Sequence, residues 1–299
     1  MASLKNIVNN EVRIVAHKYF GNLLEDKRVL ITGSNRGLGL LMARRFLECG
    51  ANVIICGAPD EDVTEAVNRL KDLDPAFEVM GCKPDLTNEV DLEKLMNIIE
   101  SGWGGLDVLI NNAGIYPFRT FEEYPQELLR QVFEVNVFGM FTMSQKAVQI
   151  MKKNPNGGVI LNTSSMAGID GAMANIGYTA SKFAVQGLTL GLARELGKYH
   201  IRVNGVAPAG ILRTDLSGHV IEQPSLIKMV GSQASTEEMM AIERVANCFA
   251  PLGDYRCHPD EIINAFIYLA SDASNFVSGQ TIVIDGACIW PAANPLSCL

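Results

Sequence analysis

Lys27-Arg28-Val29-Leu30-Ile31-Thr32-Gly33-Ser34-Asn35-Arg36-Gly37-Leu38-Gly39 is the stretch whose reading decides the fold. Val29, Leu30 and Ile31 make a short apolar run suited to a strand buried on both faces. Three glycines follow, and Leu38, Leu41, Met42 and Phe46 then fall at helical spacing. The reading is strand, tight turn, helix. Such a junction lets a pyrophosphate approach bare backbone with its charge facing a helix N-terminus. The spacing is Gly-x-x-x-Gly-x-Gly, not G-x-G-x-x-G, so this stretch taken alone also fits a glycine turn without a ligand.

Outward from that turn the chain stays globular in composition: 299 residues, 48% hydrophobic and 19% charged, with no linker or low-complexity tract to divide it. One large α/β domain is expected. A net charge of −8 and the lack of a basic block argue against nucleic acid as a partner. The seven cysteines (Cys49, Cys56, Cys82, Cys248, Cys257, Cys288 and Cys298) are odd in number and form no C-x-x-C pair. That pattern fits reduced thiols in a cytoplasmic compartment and no metal site. Neither a signal peptide nor a run of 18 apolar residues is found, so a soluble protein is expected, with no membrane partner. Residues 1–25 carry a helical stripe, Leu4, Ile7, Val8, Val12, Val15 and Tyr19, read as an extension that packs on the body or on a neighbouring subunit.

Further strands are expected at 51–56, 77–82, 106–110, 158–163, 201–206 and 279–285, with helices at 63–73, after Thr87, at 126–152, 178–198 and 259–270. This alternation implies a single doubly wound, Rossmann-type domain whose seven-stranded parallel sheet is flanked by helices. Ligands then bind outside the carboxyl ends of the strands. Asn111-Asn112-Ala113-Gly114 and Ser164-Ser165 both fall at such ends. Tyr178 and Lys182 lie four apart, on one helical face. Asn136, set among apolar residues, must find hydrogen-bond partners and reads as a kink or a backbone tie.

With Tyr178-Thr179-Ala180-Ser181-Lys182 following these motifs in order, the chain resembles the short-chain dehydrogenase/reductase family over roughly residues 26–288. The resemblance implies hydride transfer between a nicotinamide and a carbonyl or secondary alcohol. Tyr178 would be the general acid/base, its pKa lowered by Lys182 and by the nicotinamide's charge. Ser165, thirteen residues before Tyr178, would hold the substrate oxygen, and Asn136 would complete a proton relay through water. The cofactor would rest on Gly33, Ser34, Asn35, Arg36, Gly37, Leu38 and Gly39, on Asp85 and Leu86, and on Asn112, Ala113 and Gly114. Tyr178, Lys182, Pro208, Gly210 and Thr214 would complete that set. Asp85 equally fits a turn-forming role.

NADP(H) is favoured over NAD(H), because Gly57 stands where NAD-preferring relatives carry an acid and Arg36 lies in the turn. Asp60 is the alternative, an acid within reach of the ribose. Thr214 comes ten residues after Asn204 where the family has nine, and Gly286-Ala287 replaces the usual two glycines. Ser165, Tyr178, Tyr116 and Met166, with Ile115 and Phe118 nearby, suggest an apolar ketone or alcohol as the small-molecule substrate. Arg119 or Arg213 could instead receive an anionic group. Residues 215–258, with Leu226, Ile227, Met229, Met239, Met240 and Ile242, read as a substrate lid, and 289–299 as a tail. A homo-oligomer, tetramer or dimer, is implied. Competing readings are a non-catalytic nucleotide sensor or scaffold, and imine reduction, enoyl reduction or epimerisation on the same fold.

Overall fold

Val29, Leu30 and Ile31 are fully buried in β1 (Arg28–Ile31), and successive residues enter opposite cores. Val29 and Ile31 join one cluster while Leu30 joins the other, which is why the strand is apolar without alternation. The computed structural model describes residues 21–117, 119–171, 175–212, 252 and 256–288.

Around β1 the sheet is built from β2 (Asn52–Cys56), β3 (Val79–Cys82), β4 (Val108–Asn111), β5 (Gly158–Thr163), β6 (Ile201–Pro208) and β9 (Thr281–Ile284). Their order is β3-β2-β1-β4-β5-β6-β9, and every pairing is parallel. Leu30 is registered with Ile54 on one side and Leu109 on the other, so β1 lies where the order reverses. Helices α1 (Gly37–Glu48), α2 (Thr64–Lys71) and α7 (Pro259–Ala270) contribute to the Val29 cluster. Helices α3 (Glu89–Trp103), α5 (Met140–Met151) and α6 (Ile176–Leu196) contribute to the Leu30 cluster.

The pattern at 126–152 is not one α-helix. Helix α4 (Gln126–Phe133) passes into a π turn, Glu134–Gly139, before α5 begins. The cause lies at Asn136, fully buried, whose Oδ1 accepts from Ile115 N at 2.8 Å while Nδ2 donates to Ile115 O at 3.0 Å. π turns occur mostly as such single-turn bulges inside α-helices, frequently at functional sites. The strand expected at 201–206 runs on to Pro208. A two-stranded ribbon that the sequence does not suggest pairs β7 (Gly210–Ile211) with β8 (Arg256–Cys257).

Of the extension, residues 21–25 are described and form a turn. Leu24 is fully buried there, and its N–H donates to Cys49 O at 3.0 Å. Residues 1–20, Phe118, Arg213, Thr214, most of the 215–258 segment, Cys248 and the 289–299 tail, with Cys298, lie outside the described residues. No described helix is long and apolar enough to cross a membrane, and the described cysteines are free thiols.

Candidate active site

The turn after β1 is held from below. Thr32 Oγ1 accepts from the N–H groups of Asn112 and Ala113, each at 3.0 Å, and Asn112 Nδ2 donates to Thr32 O and Gly33 O at 3.0 Å. This ties the ends of β1 and β4 side by side. Gly33 has φ +60°, and a Cβ there would lie 2.8 Å from Ala113 Cα; one on Gly39 would overlap Gly33 O. Only glycine lets the two segments approach this closely.

Beyond the turn, α1 begins without a side-chain cap and with no acidic residue in its first turn. A Cβ on Gly37 would meet nothing within 4 Å, so the space above is open. Orphan N–H groups, a positive helix end and open space fit an anionic pyrophosphate.

The reactive side chains converge two strands away, at the end of β5. Ser164, 2% exposed, is bound inward: its Oγ accepts from Gln186 Nε2 at 3.0 Å and donates to Lys182 O at 3.5 Å. Ser165 faces the other way. Its Oγ accepts from Ala167 N at 3.1 Å, capping a short 3₁₀ turn, Met166–Gly168, and it hydrogen-bonds the Tyr178 phenol. Tyr178 and Lys182 sit one turn apart on α6, and Lys182 Nζ lies 5.4 Å from the Tyr178 ring centroid. The Tyr116 ring stands edge-on to Tyr178 at 4.5 Å.

Burial dominates the electrostatics. It pushes the Tyr178 phenol up to about 12, against the pull of the Ser165 hydrogen bond. It pulls the Lys182 ammonium down to about 8, and Nζ donates to Thr163 O at 2.6 Å. In the protein chain by itself, desolvation sets the Tyr178 value, and the Ser165 hydrogen bond only partly offsets it. Asn136 adds a bond from Nδ2 to Ser181 Oγ at 3.1 Å. A Cβ on Gly114 would fall 3.2 Å from Asn136 Oδ1 and 3.8 Å from Lys182 Nζ, so the Asn112-Ala113-Gly114 turn and this group meet at one point.

Other expected residues take more specific places. Ser34 is buried, donating from Oγ to Ile31 O at 2.6 Å and accepting from Cys56 N at 2.9 Å, so it braces β1 against β2. Asp85 takes its turn-forming role: Oδ1 accepts from Thr87 N at 2.9 Å and Thr87 Oγ1 at 2.7 Å. Leu86 packs on the Leu30 cluster. Pro208 ends β6, and Gly210 lies in β7, where its carbonyl accepts from Cys257 Sγ. Asp60 is exposed, and the acid that reaches Arg36 is Glu61. Sequence reasoning missed Thr32 and Glu61. Thr32 carried a signal, a hydroxyl at a strand end beside the glycine turn; Glu61 carried none until the loop was folded.

A family profile described as short chain dehydrogenase matches residues 27–225. A 3α-hydroxysteroid dehydrogenase of Mediterraneibacter gnavus is 39% identical over 265 residues, 89% of this chain and 98% of the relative. A 5-keto-D-gluconate 5-reductase of Escherichia coli K12 is 32% identical, over 88% of this chain and 95% of the relative. Among solved structures, a gluconate 5-dehydrogenase from Burkholderia cenocepacia in complex with NADP and tartrate superposes with a TM-score of 0.77. It is 28% identical, covering 91% of this chain and 98% of that one.

Proposed function

The chain belongs to the short-chain dehydrogenase family, and from that premise we propose that it moves a hydride between NADP(H), in preference to NAD(H), and a carbonyl or secondary alcohol. The observation that carries this reading is the convergence of Ser165, Tyr178 and Lys182 at the same carboxyl edge of the sheet as the uncapped start of α1, two strands away. The dinucleotide would rest on the Gly33 to Gly39 turn and the Asn112-Ala113-Gly114 turn, with Pro208, Gly210 and Thr214 toward its nicotinamide end. When bound, it supplies the hydride.

The protein's part is position and proton. With its pKa near 12 the Tyr178 phenol is protonated at neutral pH, a donor for the alkoxide that develops when a carbonyl is reduced. Ser165, already bonded to that phenol, holds the substrate oxygen at the same point. In the oxidation direction the Lys182 ammonium stabilises the phenolate that must accept the proton. Asn136 ties the Ile115 backbone to the Ser181 hydroxyl, next to Lys182 in the chain, where a water-borne proton path would run.

Tyr116, edge-on to Tyr178, and Met166, next to Ser165 in the chain, favour an apolar ketone or secondary alcohol. The hydroxysteroid relative points the same way, while the keto-gluconate relative supports a polar one. NADPH oxidation with a 3-ketosteroid and with 5-ketogluconate separates the two. Turnover of the ketosteroid is expected. Turnover of the sugar acid alone would overturn the apolar reading, and nucleotide binding without turnover of either ketone, nor of imine or enoyl substrates, would favour the sensor.

Residues 26–288 form one domain in this reading, with 1–25 an extension and 215–258 a lid. A second copy of the chain would seat on the apolar side of the helices, where Phe141, Phe183 and Leu190 are about half exposed. Sedimentation should then show a dimer or tetramer. The free thiols fit a cytoplasmic setting.

A further inference from the structure

The far end of the glycine turn holds a charge pair. β2 ends at Cys56, and the chain after Gly57 folds back on itself, with Glu61 N–H donating to Ala58 O at 3.0 Å. This brings Glu61 against the turn. Its Oε1 accepts from Arg36 Nε at 3.0 Å and lies 2.8 Å from Nη2, while Oε2 accepts from Ala58 N at 3.1 Å. Asn35 also bonds the carboxylate. The Glu61 carboxyl is held below its ordinary range, chiefly by the Ala58 amide and then by Arg36, so it is ionised at neutral pH. Glu61 is the anchored partner, with a side chain 27% exposed, and Arg36, at 79%, leans on it from outside.

This is the edge of the sheet where a dinucleotide's adenosine ribose is read: an acid there accepts from a 2′-hydroxyl, and an arginine accommodates a 2′-phosphate. Here both are present and bonded to each other. A 2′-phosphate, carrying close to two negative charges, would meet an arginine already neutralised and a fixed carboxylate beside it.

We infer that Glu61 sets the nucleotide discrimination of this chain by opposing Arg36, so that the preference for NADPH over NADH is held to a small factor and both nucleotides are accepted. This rests on the proposed dehydrogenase reading. Arg36 supplies the attraction for the phosphate. Glu61 withdraws part of it and offers the 2′-hydroxyl of NADH an acceptor in return.

The test is equilibrium binding of NADPH and NADH, read by nicotinamide fluorescence, on the full chain and on three variants. Glu61→Gln keeps the side-chain length and an acceptor for Ala58 N–H but removes the charge. It should raise the ratio of NADPH to NADH affinity by about tenfold. Arg36→Ala should lower that ratio below the wild-type value, because Glu61 then acts unopposed. Asp60→Asn removes a neighbouring exposed charge and should leave the ratio where it was. An unchanged ratio in Glu61→Gln, or an equal shift in Asp60→Asn, overturns the role of Glu61 while nucleotide binding itself still stands. Binding of neither nucleotide by the wild-type chain overturns the dehydrogenase reading instead. Competition of bound NADPH by 2′-phospho-AMP against AMP gives the same ratio without the nicotinamide and separates an effect at the ribose from one at the reacting end.

Discussion

The two ends of the central sheet use polar side chains in opposite ways. At the amino end Arg28, opening β1, is bonded through Nε and Nη2 to Asp107 at 2.7 and 2.8 Å, and donates further to Trp103 O and Asn154 Oδ1. Asn154 in turn donates to Leu106 O and Gly157 O, and Arg202 to the carbonyls of Leu269 and Ser271. Donors there are matched to acceptors. At the carboxyl end α1 is uncapped, Tyr178 and Lys182 sit at strongly shifted pKa values, and glycines leave the backbone bare. A matched pair adds to stability and does no chemistry, whereas a desolvated, half-partnered group costs stability and stays available for a ligand.

That contrast breaks first at Tyr178. Tyr178→Phe should lower turnover by about a thousandfold, the order expected for loss of a general acid, with nucleotide affinity and melting temperature little changed. A variant retaining a third of the activity would place the proton donor elsewhere.

Lys182 carries the next effect. Its proton is held with a pKa of about 8 in the native chain and 10.5 in the unfolded one, so between those values the unfolded state binds more protons and stability rises with pH. The burial penalty is full below pH 8 and gone above 10.5, a change of at most about 3 kcal/mol. Lys182→Met should remove this rise when denaturant unfolding is compared at pH 7.5 and 10. If the wild-type curve is flat, the lysine is not desolvated as described.

Gly39→Ala sharpens the comparison from the backbone side. Its Cβ overlaps Gly33 O, and relieving the overlap should cost about 2 kcal/mol and weaken nucleotide binding together. Calorimetry showing full stability would mean the turn can shift.

At the amino end Asp107→Asn should cost about 1–2 kcal/mol and leave turnover per folded molecule unchanged, because it strips Arg28 of its charge partner only. Arg28 and burial act on Asp107 in opposite directions and the net is a lowered pKa, so its contribution is present above the ordinary carboxylate range and lost as pH falls through the native value. Urea midpoints at pH 7 and pH 3 check the sign.

Much of this molecule is legible in the chain as written. The apolar runs Val29 to Ile31 and Val159 to Leu161 lie in strands, where a strand covered on both faces has no polar side. Motifs at strand ends follow, since parallel strands deliver their carboxyl ends to one edge. Ser165, thirteen residues before Tyr178, bonds its phenol, while the neighbouring Ser164 is tied to Gln186. Glu61 was not legible, because which of Asp60, Glu61 and Asp62 reaches Arg36 depends on the path of a loop bonded through Ala58. The π turn at Asn136 needs the Ile115 backbone across the site, a partner 21 residues away. The high pKa of Tyr178 and the low one of Lys182 are likewise properties of enclosure rather than of residue type. Local pattern and order determine the elements, because backbone sterics and apolar periodicity act over a few residues. Charge pairing and proton affinity were decided by tertiary structure, because they depend on which groups from distant segments share one desolvated volume.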